Sequence, residues 1–330
     1  MLCEKPLTDA FLVPPAETVR NLTTYRATVG FGASNAERME GDMMPESKYH
    51  SRCLLDLAAP EIAAHLEHDD SVLIPMGSCE MHGPHIPLGT DIYNALRVSE
   101  LAAEKANTLY TAPLWTGYSP QHLRQPERGM GTITLRGSTL NELIYDVARS
   151  LIHHGFNRLI FVNGHTSNNK VVDPVMRRLR YETGALIGMF KPYGERYLGL
   201  IEDVMENPPE ETPGWHASEQ ETSIMMSYNA ANVHMDAAVA GETHAPEWMP
   251  SGFAKNDGVW DAQFKGFEYF YFPMDHDEFS ETGVIGNPMR ASAEKGDEIF
   301  RRFSDYLAEA LEELRKVPVK VTDRAFINKA

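Results

Sequence analysis

The sequence has few cysteines, no long apolar run and a deficit of basic residues. Its three cysteines, Cys3, Cys53 and Cys79, are too few and too scattered for a disulfide framework. No run of about 18 uncharged apolar residues occurs, and the first residues lack the apolar region of a signal peptide. Lys and Arg number 30 against 47 Asp and Glu, so the net charge is −17 and argues against nucleic-acid and membrane partners. We expect a cytoplasmic protein.

The order of apolar and amphipathic segments predicts an α/β fold. Short apolar runs alternate with segments of helical periodicity from Ser71 onward, which is typical of a mostly parallel sheet flanked by helices. Ligands bind such sheets at the carboxyl ends of the strands. We predict an N-terminal extension or arm at 1–70 and a catalytic domain at 71–330. The predicted strands are 71–77, 109–115, 131–136, 158–164 and 185–190; the predicted helices are 58–66, 91–106, 138–154, 167–182 and 291–314; and 191–213 and 237–271 are predicted to be loops.

The first group of candidate functional residues follows the strand at 71–77. Glu80, His82, His85 and Asp91 lie within twelve positions, in a segment that Gly83-Pro84 prevents from forming a continuous helix. Carboxylate and imidazole suit Zn²⁺, Mn²⁺ or Fe²⁺, and a carboxylate at the start of the next helix could bridge two ions. The structural alternative is a polar loop in which Asp91 caps a helix.

Two further groups carry the same side-chain types. His165 follows the strand at 158–164, in a turn where Ser167 or Asn168 could instead serve only as a helix cap. The third group contains Trp215, His216, Glu219 and Glu221, the last of which could form a capping box with Ser218. If Ser218 is the cap, His216 lies outside the helix and can reach the same pocket as Glu221. His122 precedes a predicted strand and could line that pocket.

These three groups resemble the creatininase (creatinine amidohydrolase) family. The resemblance rests on GSCEMHGPHIPLGTD (77–91), NGHTSN (163–168) and HASEQETS (216–223), with weaker similarity in GTITLR (131–136) and GVIGNPMRASAEKG (283–296). It implies a compact α/β fold, two divalent ions per chain, commonly Zn²⁺ or Mn²⁺ and in some members Fe²⁺, and a homohexamer.

The resemblance also implies roles for individual residues. Four of them fall on metal-ligand positions of the family, namely Glu80, His82, Asp91 as the bridge, and His165, and Glu221 is the expected remaining carboxylate ligand. His216 matches the histidine proposed to move protons to and from the substrate, and Glu219 could orient it. We expect substrate contacts from His85, His122, Ser167 and Trp215.

Departures from the family pattern bear on the substrate. Creatininase itself has a glutamate where Ser167 stands and a Trp-Asp pair where Thr212 and Pro213 stand. We therefore predict a hydrolase in which a metal-held hydroxide attacks the carbonyl of a small polar substrate. The leading hypothesis is ring opening, either of a carbocyclic ketone such as a dehydro-inosose, which is a reaction of inositol catabolism, or of a cyclic amide. The alternative is creatinine-type or formamide hydrolysis. A cysteine enzyme using Cys79 with His82 or His85, and a non-catalytic binding protein on the same fold, are the remaining hypotheses.

Overall fold

A four-stranded parallel sheet forms the centre of the molecule. The computed structural model describes residues 50–193, 199–206, 216–255, 258 and 261–326. The strands are β1 (Ser71–Met76), β2 (Leu109–Tyr110), β3 (Arg158–Asn163) and β4 (Leu186–Phe190), in the order β2-β1-β3-β4. All their pairings are parallel. The α/β prediction is confirmed.

Helices cover both faces of this sheet. They are α1 (Ala59–Leu66), α2 (Thr90–Ala106), α3 (Gly137–His154), α4 (Asn169–Thr183), α5 (Glu219–Asn229), α6 (His276–Phe279) and α7 (Ala293–Arg315). Alternate strand residues point to opposite faces. Leu73 and Ile160 pack against apolar residues of α2, α5 and α7, whereas Ile74 and Phe161 pack against those of α3 and α4. The sheet therefore has a hydrophobic core on each side.

Residues 54–66, within the predicted arm, pack against the second of these cores. Leu54, Ile62 and Leu66 contact it, and Leu57 is part of it. The compact unit that holds the sheet spans residues 47–330. The predicted boundary at residue 70 thus divides this unit, and residues 1–49 of the arm lie outside the described residues. A separate role for the arm stays a prediction.

Three predicted elements differ from the structure. The strand expected at 109–115 ends at Tyr110, since Pro113 has no N–H to continue the ladder. Residues 131–136 make only isolated bridges, Ile133 with Cys79 and Thr134 with Gly117, so they are not a strand. The loop expected at 237–271 contains a three-stranded antiparallel sheet of β5 (Phe253–Ala254), β6 (Asp261–Phe264) and β7 (Phe267–Tyr271). Its hairpin turns at Lys265-Gly266, both with positive φ, as two-residue turns require.

No helix in the described ranges is long and apolar enough to cross a membrane.

A largely buried ion pair joins the segment before β1 to the end of α7. Arg315, at the end of α7, donates from Nη2 to Asp69 Oδ2 (2.8 Å) and to the Ala106 carbonyl (2.7 Å). Burial alone would raise the pKa of Asp69, but hydrogen bonds from His65 and Arg315 and the Arg315 charge hold it well below its ordinary value. Asp69 therefore stabilises the fold only while it is ionised.

We expect Asp69→Asn to lower the free energy of unfolding by about 3 kcal/mol at pH 7, because it leaves the Arg315 charge without its buried partner. The folded-state pKa is depressed, so this contribution is complete above the unfolded-state pKa of about 4 and is lost as the pH falls towards the folded-state value. Urea unfolding at pH 7 and pH 3 should show the two proteins converging at the lower pH. Asp173→Asn, on the exposed face of α4, is the control. An equal difference at both pH values would contradict this account.

Candidate metal centre

Two strand-end glycines hold the start of α2 in place. Gly77 follows β1 and lies against the backbone of Asp91 and Ile92, and Gly164 follows β3 and lies against the backbone of Asp91. A Cβ on Gly77 would lie 2.7 Å from Ile92 N, and one on Gly164 would lie 2.1 Å from Asp91 O. Any side chain would push the helix away. The Asp91 carboxylate is therefore fixed between the carboxyl ends of the two central strands.

The structure brings the five predicted ligands together around Asp91. His82 Nε2 lies 3.3 Å from Asp91 Oδ1 and 3.7 Å from Glu221 Oε2. His165 Nδ1 lies 3.1 Å from Asp91 Oδ2 and 3.3 Å from Glu80 Oε1. The ligand atoms form two groups that share Asp91, one with Glu80 and His165 and one with His82 and Glu221. Each oxygen of Asp91 thus faces a different group, as expected of a carboxylate that bridges two ions.

Several atoms of this cluster have no hydrogen-bond partner among the described residues. Glu80 Oε2, His82 Nε2 and Asp91 Oδ2 are fully buried and unpaired in this sense, although His82 Nε2 lies 3.3 Å from Asp91 Oδ1 and Asp91 Oδ2 lies 3.1 Å from His165 Nδ1. A buried polar atom without a partner is costly. Two imidazoles and three carboxylates are also the donor set that divalent transition metals favour. The residues therefore fit a pair of divalent ions.

The second nitrogen of each ligand histidine is already engaged. His82 Nδ1 donates to the Glu80 carbonyl (3.0 Å), and His165 Nε2 lies 3.1 Å from both the Tyr118 carbonyl and Ser119 Oγ. Because a carbonyl can only accept, the nitrogen nearest to it is the donor, and each ring turns its other nitrogen towards the carboxylates. Histidines that bind metals are oriented by contacts of this kind.

The electrostatics of the cluster also suit a cation. Burial alone would lower the pKa of His82, but the Asp91 and Glu221 carboxylates raise it to about 10, and Glu80 and Asp91 raise the pKa of His165 in the same way. Burial raises the pKa of Glu221, whereas the charges of His165 and His122 outweigh burial and lower that of Glu80. The carboxylates thus hold protons on the histidines, and a bound cation would displace those protons.

Asparagines set the shape of the second loop. Asn163 donates to the His165 carbonyl (2.8 Å), and Asn168 donates to the Gly77 carbonyl (3.1 Å). Asn168 also accepts from the Tyr118 N–H (2.9 Å). The loops after β1 and β3 are therefore tied to each other and to the segment at 117–122. The buried Ser167 accepts from Gln121 Nε2 (3.3 Å), so a neutral hydrogen-bonded pair stands at this position.

The third predicted group is only partly assembled in the site. His216 is buried beside the cluster, where its Nδ1 lies 3.9 Å from Glu80 Oε1 and its Nε2 donates to the Met81 carbonyl (2.6 Å). Glu221 Oε2 accepts from the Ala217 N–H (2.5 Å), so its carboxylate does not form the capping box expected with Ser218. Burial, together with the His82 and His122 charges, lowers the pKa of His216 well below its ordinary value.

The predicted role of Glu219 needs correction. Its carboxylate accepts from Lys295 Nζ (2.6 Å) and from the Glu206 N–H (3.0 Å). Glu219 is the first residue of α5, and these contacts turn its carboxylate towards α7. The carboxylate is therefore not placed to orient His216.

The predicted substrate contacts divide as well. His122 Nε2 lies 3.7 Å from Glu80 Oε1, at the edge of the cluster. His85 instead pairs through Nε2 with Thr222 Oγ1 (2.9 Å), which ties the first loop to α5, and burial lowers its pKa to about 4. Trp215 lies outside the described residues.

Sequence reasoning missed His276, the first residue of α6. It is buried, and its ring lies 4.2 Å from that of His122 and 4.9 Å from that of His216, centroid to centroid. The only local signal is the capping box of Asp275 and Glu278, which marks a helix start but not its place beside the metal cluster.

Cys79 is poorly suited to be a nucleophile. Its Sγ faces the Gly131 carbonyl (3.7 Å), and burial raises the pKa of the thiol, with the Glu80 and Asp91 charges adding to the rise. The reactive thiolate is therefore disfavoured beside this cluster.

Comparisons with known proteins agree with this geometry. A sequence model of the creatininase family, described as creatinine amidohydrolase, matches residues 55–311. Creatinine amidohydrolase of Pseudomonas putida is 29% identical over 270 residues, which cover 78% of this chain and 95% of that protein. The 3-dehydro-scyllo-inosose hydrolase of Thermotoga maritima is 27% identical over 265 residues, covering 77% of this chain and 80% of the relative. The mycofactocin precursor peptide peptidase of Mycolicibacterium smegmatis is 29% identical over 237 residues, which cover 69% of this chain and 79% of that protein.

Solved structures show the same fold. A crystal structure of creatinine amidohydrolase superposes with a TM-score of 0.63 at 25% identity, covering 82% of this chain and all of that one. A manganese form of creatininase matches with a TM-score of 0.62 at 26% identity, covering 81% of this chain and all of that one. A Zn–Zn form of a creatininase variant matches with a TM-score of 0.61 at 25% identity, covering 82% of this chain and all of that one.

The fold and the metal cluster define a metal-dependent hydrolase. The matches extend over most of the chain and over all three motif-bearing loops. The chain belongs to the creatininase family, and the modest identities separate it from creatininase itself.

Proposed function

We propose that this hydrolase opens the ring of a small, polar substrate at a carbonyl group, with a carbocyclic polyol ketone favoured over a cyclic amide. The observation that carries the proposal is the shared position of Asp91 between two groups of ligand atoms. Glu80 and His165 would hold one ion and His82 and Glu221 the other, with Asp91 joining them. When bound, two such ions lower the pKa of a water molecule and polarise a carbonyl oxygen.

His216 is the proposed proton carrier. Its Nε2–H is committed to the Met81 carbonyl, so Nδ1 carries the lone pair and faces the cluster. The low pKa keeps the ring neutral at pH 7. Nδ1 can then accept a proton as water adds to the carbonyl, and return it to the carbon or nitrogen that departs.

The wall near the second loop favours a hydroxylated, uncharged substrate. Gln121 and Ser167 are buried and neutral, and Gln121 Oε1 has no hydrogen-bond partner in the described part of the chain. With His122 they present donors and acceptors without a net charge, as several ring hydroxyls would require. A carboxylate, as creatininase has where Ser167 stands, would instead favour a cationic group such as a guanidinium.

The chemistry of C–C hydrolysis restricts which ketones could be substrates. Water adds to one carbonyl, the bond to the adjacent ring carbon breaks, and that carbon leaves with the electron pair before it is protonated. The electron pair left on that carbon is stable only when it is delocalised as an enolate. The ring must therefore carry a second carbonyl β to the first. The Thermotoga maritima relative, a 3-dehydro-scyllo-inosose hydrolase, supports a substrate of this class. The Pseudomonas putida relative supports the alternative, a creatinine-type amidohydrolase.

A substrate panel should separate these reactions. Enzyme reconstituted separately with Mn²⁺ and Zn²⁺ is assayed with cyclic 1,3-diketones bearing hydroxyls, lactams, creatinine and formamides. We expect ring-opened keto acids from the diketones at the highest kcat/KM, and little product after chelation of the metals. Hydrolysis of creatinine or lactams at a higher kcat/KM would favour the alternative, and full activity of metal-free enzyme would refute metal dependence. The homohexamer, the cytoplasmic location and the place in inositol catabolism stay predictions.

A further inference from the structure

A second cluster of histidines lies next to the five proposed ligands. His122, His216 and His276 are all buried, and one ring nitrogen from each lies within 4.8 Å of the others. They come from separate segments, namely the turn at 120–122, the loop three residues before α5, and the first turn of α6. The fold, and not local sequence, therefore brings the three imidazoles to one point.

Three ring nitrogens of this cluster have no hydrogen-bond partner among the described residues. Neither nitrogen of His122 has a hydrogen-bond partner within the described ranges, and the same holds for His276 Nδ1. His216 uses Nε2 on the Met81 carbonyl, which leaves Nδ1 for the cluster. His122 Nε2 and His216 Nδ1 face the same oxygen, Glu80 Oε1, at 3.7 and 3.9 Å. Buried imidazoles that converge without partners are typical of a ligand site.

We propose that His122, His216 and His276 form a third divalent-cation site, selective for Zn²⁺ over Mn²⁺, whose occupancy inhibits the enzyme. Three imidazole nitrogens suit Zn²⁺, whereas Mn²⁺ prefers oxygen ligands. In a tetrahedral zinc site ligand nitrogens are about 3.4 Å apart, so modest side-chain movements would close the cluster. The inhibition rests on the proposed proton transfer by His216, because a cation on Nδ1 would occupy the lone pair that accepts the proton.

This third site should be weaker than the pair. Its three ligands are imidazoles, which bring no negative charge to a bound cation, and the nearest carboxylate, Glu80, already belongs to the pair. Two divalent ions close by would repel a third. Zn²⁺ should therefore fill this site only after the pair is occupied.

Metal binding tests the site without reference to activity. Enzyme with both positions of the pair filled with Mn²⁺ is dialysed against increasing free Zn²⁺, and the total metal per chain is measured. We expect the total to rise from two to three ions in the wild type and to remain at two in His276→Ala and in His276→Gln, which keeps a polar side chain of similar reach. His68→Ala, an exposed histidine elsewhere, should behave as the wild type. A third ion that both His276 variants retain, or no third ion in the wild type, would overturn the site.

Activity measured in the same titration tests the inhibition. We expect Zn²⁺ to reduce wild-type turnover at least tenfold as the third ion binds. The turnover of His276→Gln should stay at the rate that this variant has before Zn²⁺ is added. Replacement of Mn²⁺ by Zn²⁺ in the pair would change the turnover of both proteins alike. The comparison of the two proteins therefore separates that effect from inhibition by the third ion. If the third ion binds and depends on His276 but turnover is unchanged, the site stands, while inhibition and the proton role of His216 are refuted.

Discussion

Asp91→Ala is expected to remove both metal ions and nearly all activity. Its two carboxylate oxygens face different groups of ligand atoms, 3.3 Å from His82 Nε2 and 3.1 Å from His165 Nδ1. Asp91 is the residue common to the group with Glu80 and His165 and the group with His82 and Glu221. Loss of ions that supply several kcal/mol of transition-state stabilisation corresponds to a fall in kcat/KM of about 1,000-fold or more. Metal analysis of the purified variant and steady-state kinetics would measure both effects.

Two further variants make this experiment specific. Asp91→Asn keeps the shape but removes the charge, so it should also lose metal. Asp173→Ala removes an exposed carboxylate from α4 and should keep two ions and full activity. If Asp91→Ala still holds two ions per chain, Asp91 is not the bridge and the proposed ligand assignment fails.

His216→Ala is expected to lower kcat by about 100- to 10,000-fold, the usual contribution of a positioned acid or base. The same variant should keep two ions per chain, because His216 lies outside the five residues proposed to hold the pair. Chemical analysis of metal content beside the kinetics separates a proton carrier from a ligand. His154→Ala, an exposed histidine at the end of α3, is the matched control. Loss of one ion of the pair from His216→Ala would assign His216 to the metal pair instead.

The central sheet could be predicted from sequence because its strands are buried on both faces. The runs SVLIPM and RLIFVN are apolar over most of their length, and the segments of α2, after β1, and of α3, before β3, are amphipathic. All four elements therefore lie close to the predicted positions. The antiparallel sheet of β5, β6 and β7 was not predicted. Its strands have two to five residues, and the aromatic side chains of β7 are largely exposed, so no alternation marks them.

The five proposed ligands could be found because each lies in a loop that follows a strand or in the first turns of a helix, within a motif. The structure brings ligand atoms of all five residues close together, in two groups that share Asp91. Glu219 and Glu221 show the limit of this reasoning. They are two residues apart on α5, and helical geometry turns one towards Lys295 and the other towards His82. His276 shows another limit, since its position depends on the packing of α6 against the turn at 120–122.

The glycine contacts around Asp91 have a consequence for how substrate range could change in this family member. Backbone atoms fill the space beside Gly77 and Gly164, so these loops can exchange few residues without displacing the catalytic carboxylate. The segment 253–279 contributes Ala262, Met274 and Phe279 to a separate small core. Laboratory evolution of new specificities should therefore accumulate substitutions in that segment, where the pocket wall can be rebuilt while the metal-bearing loops stay unchanged.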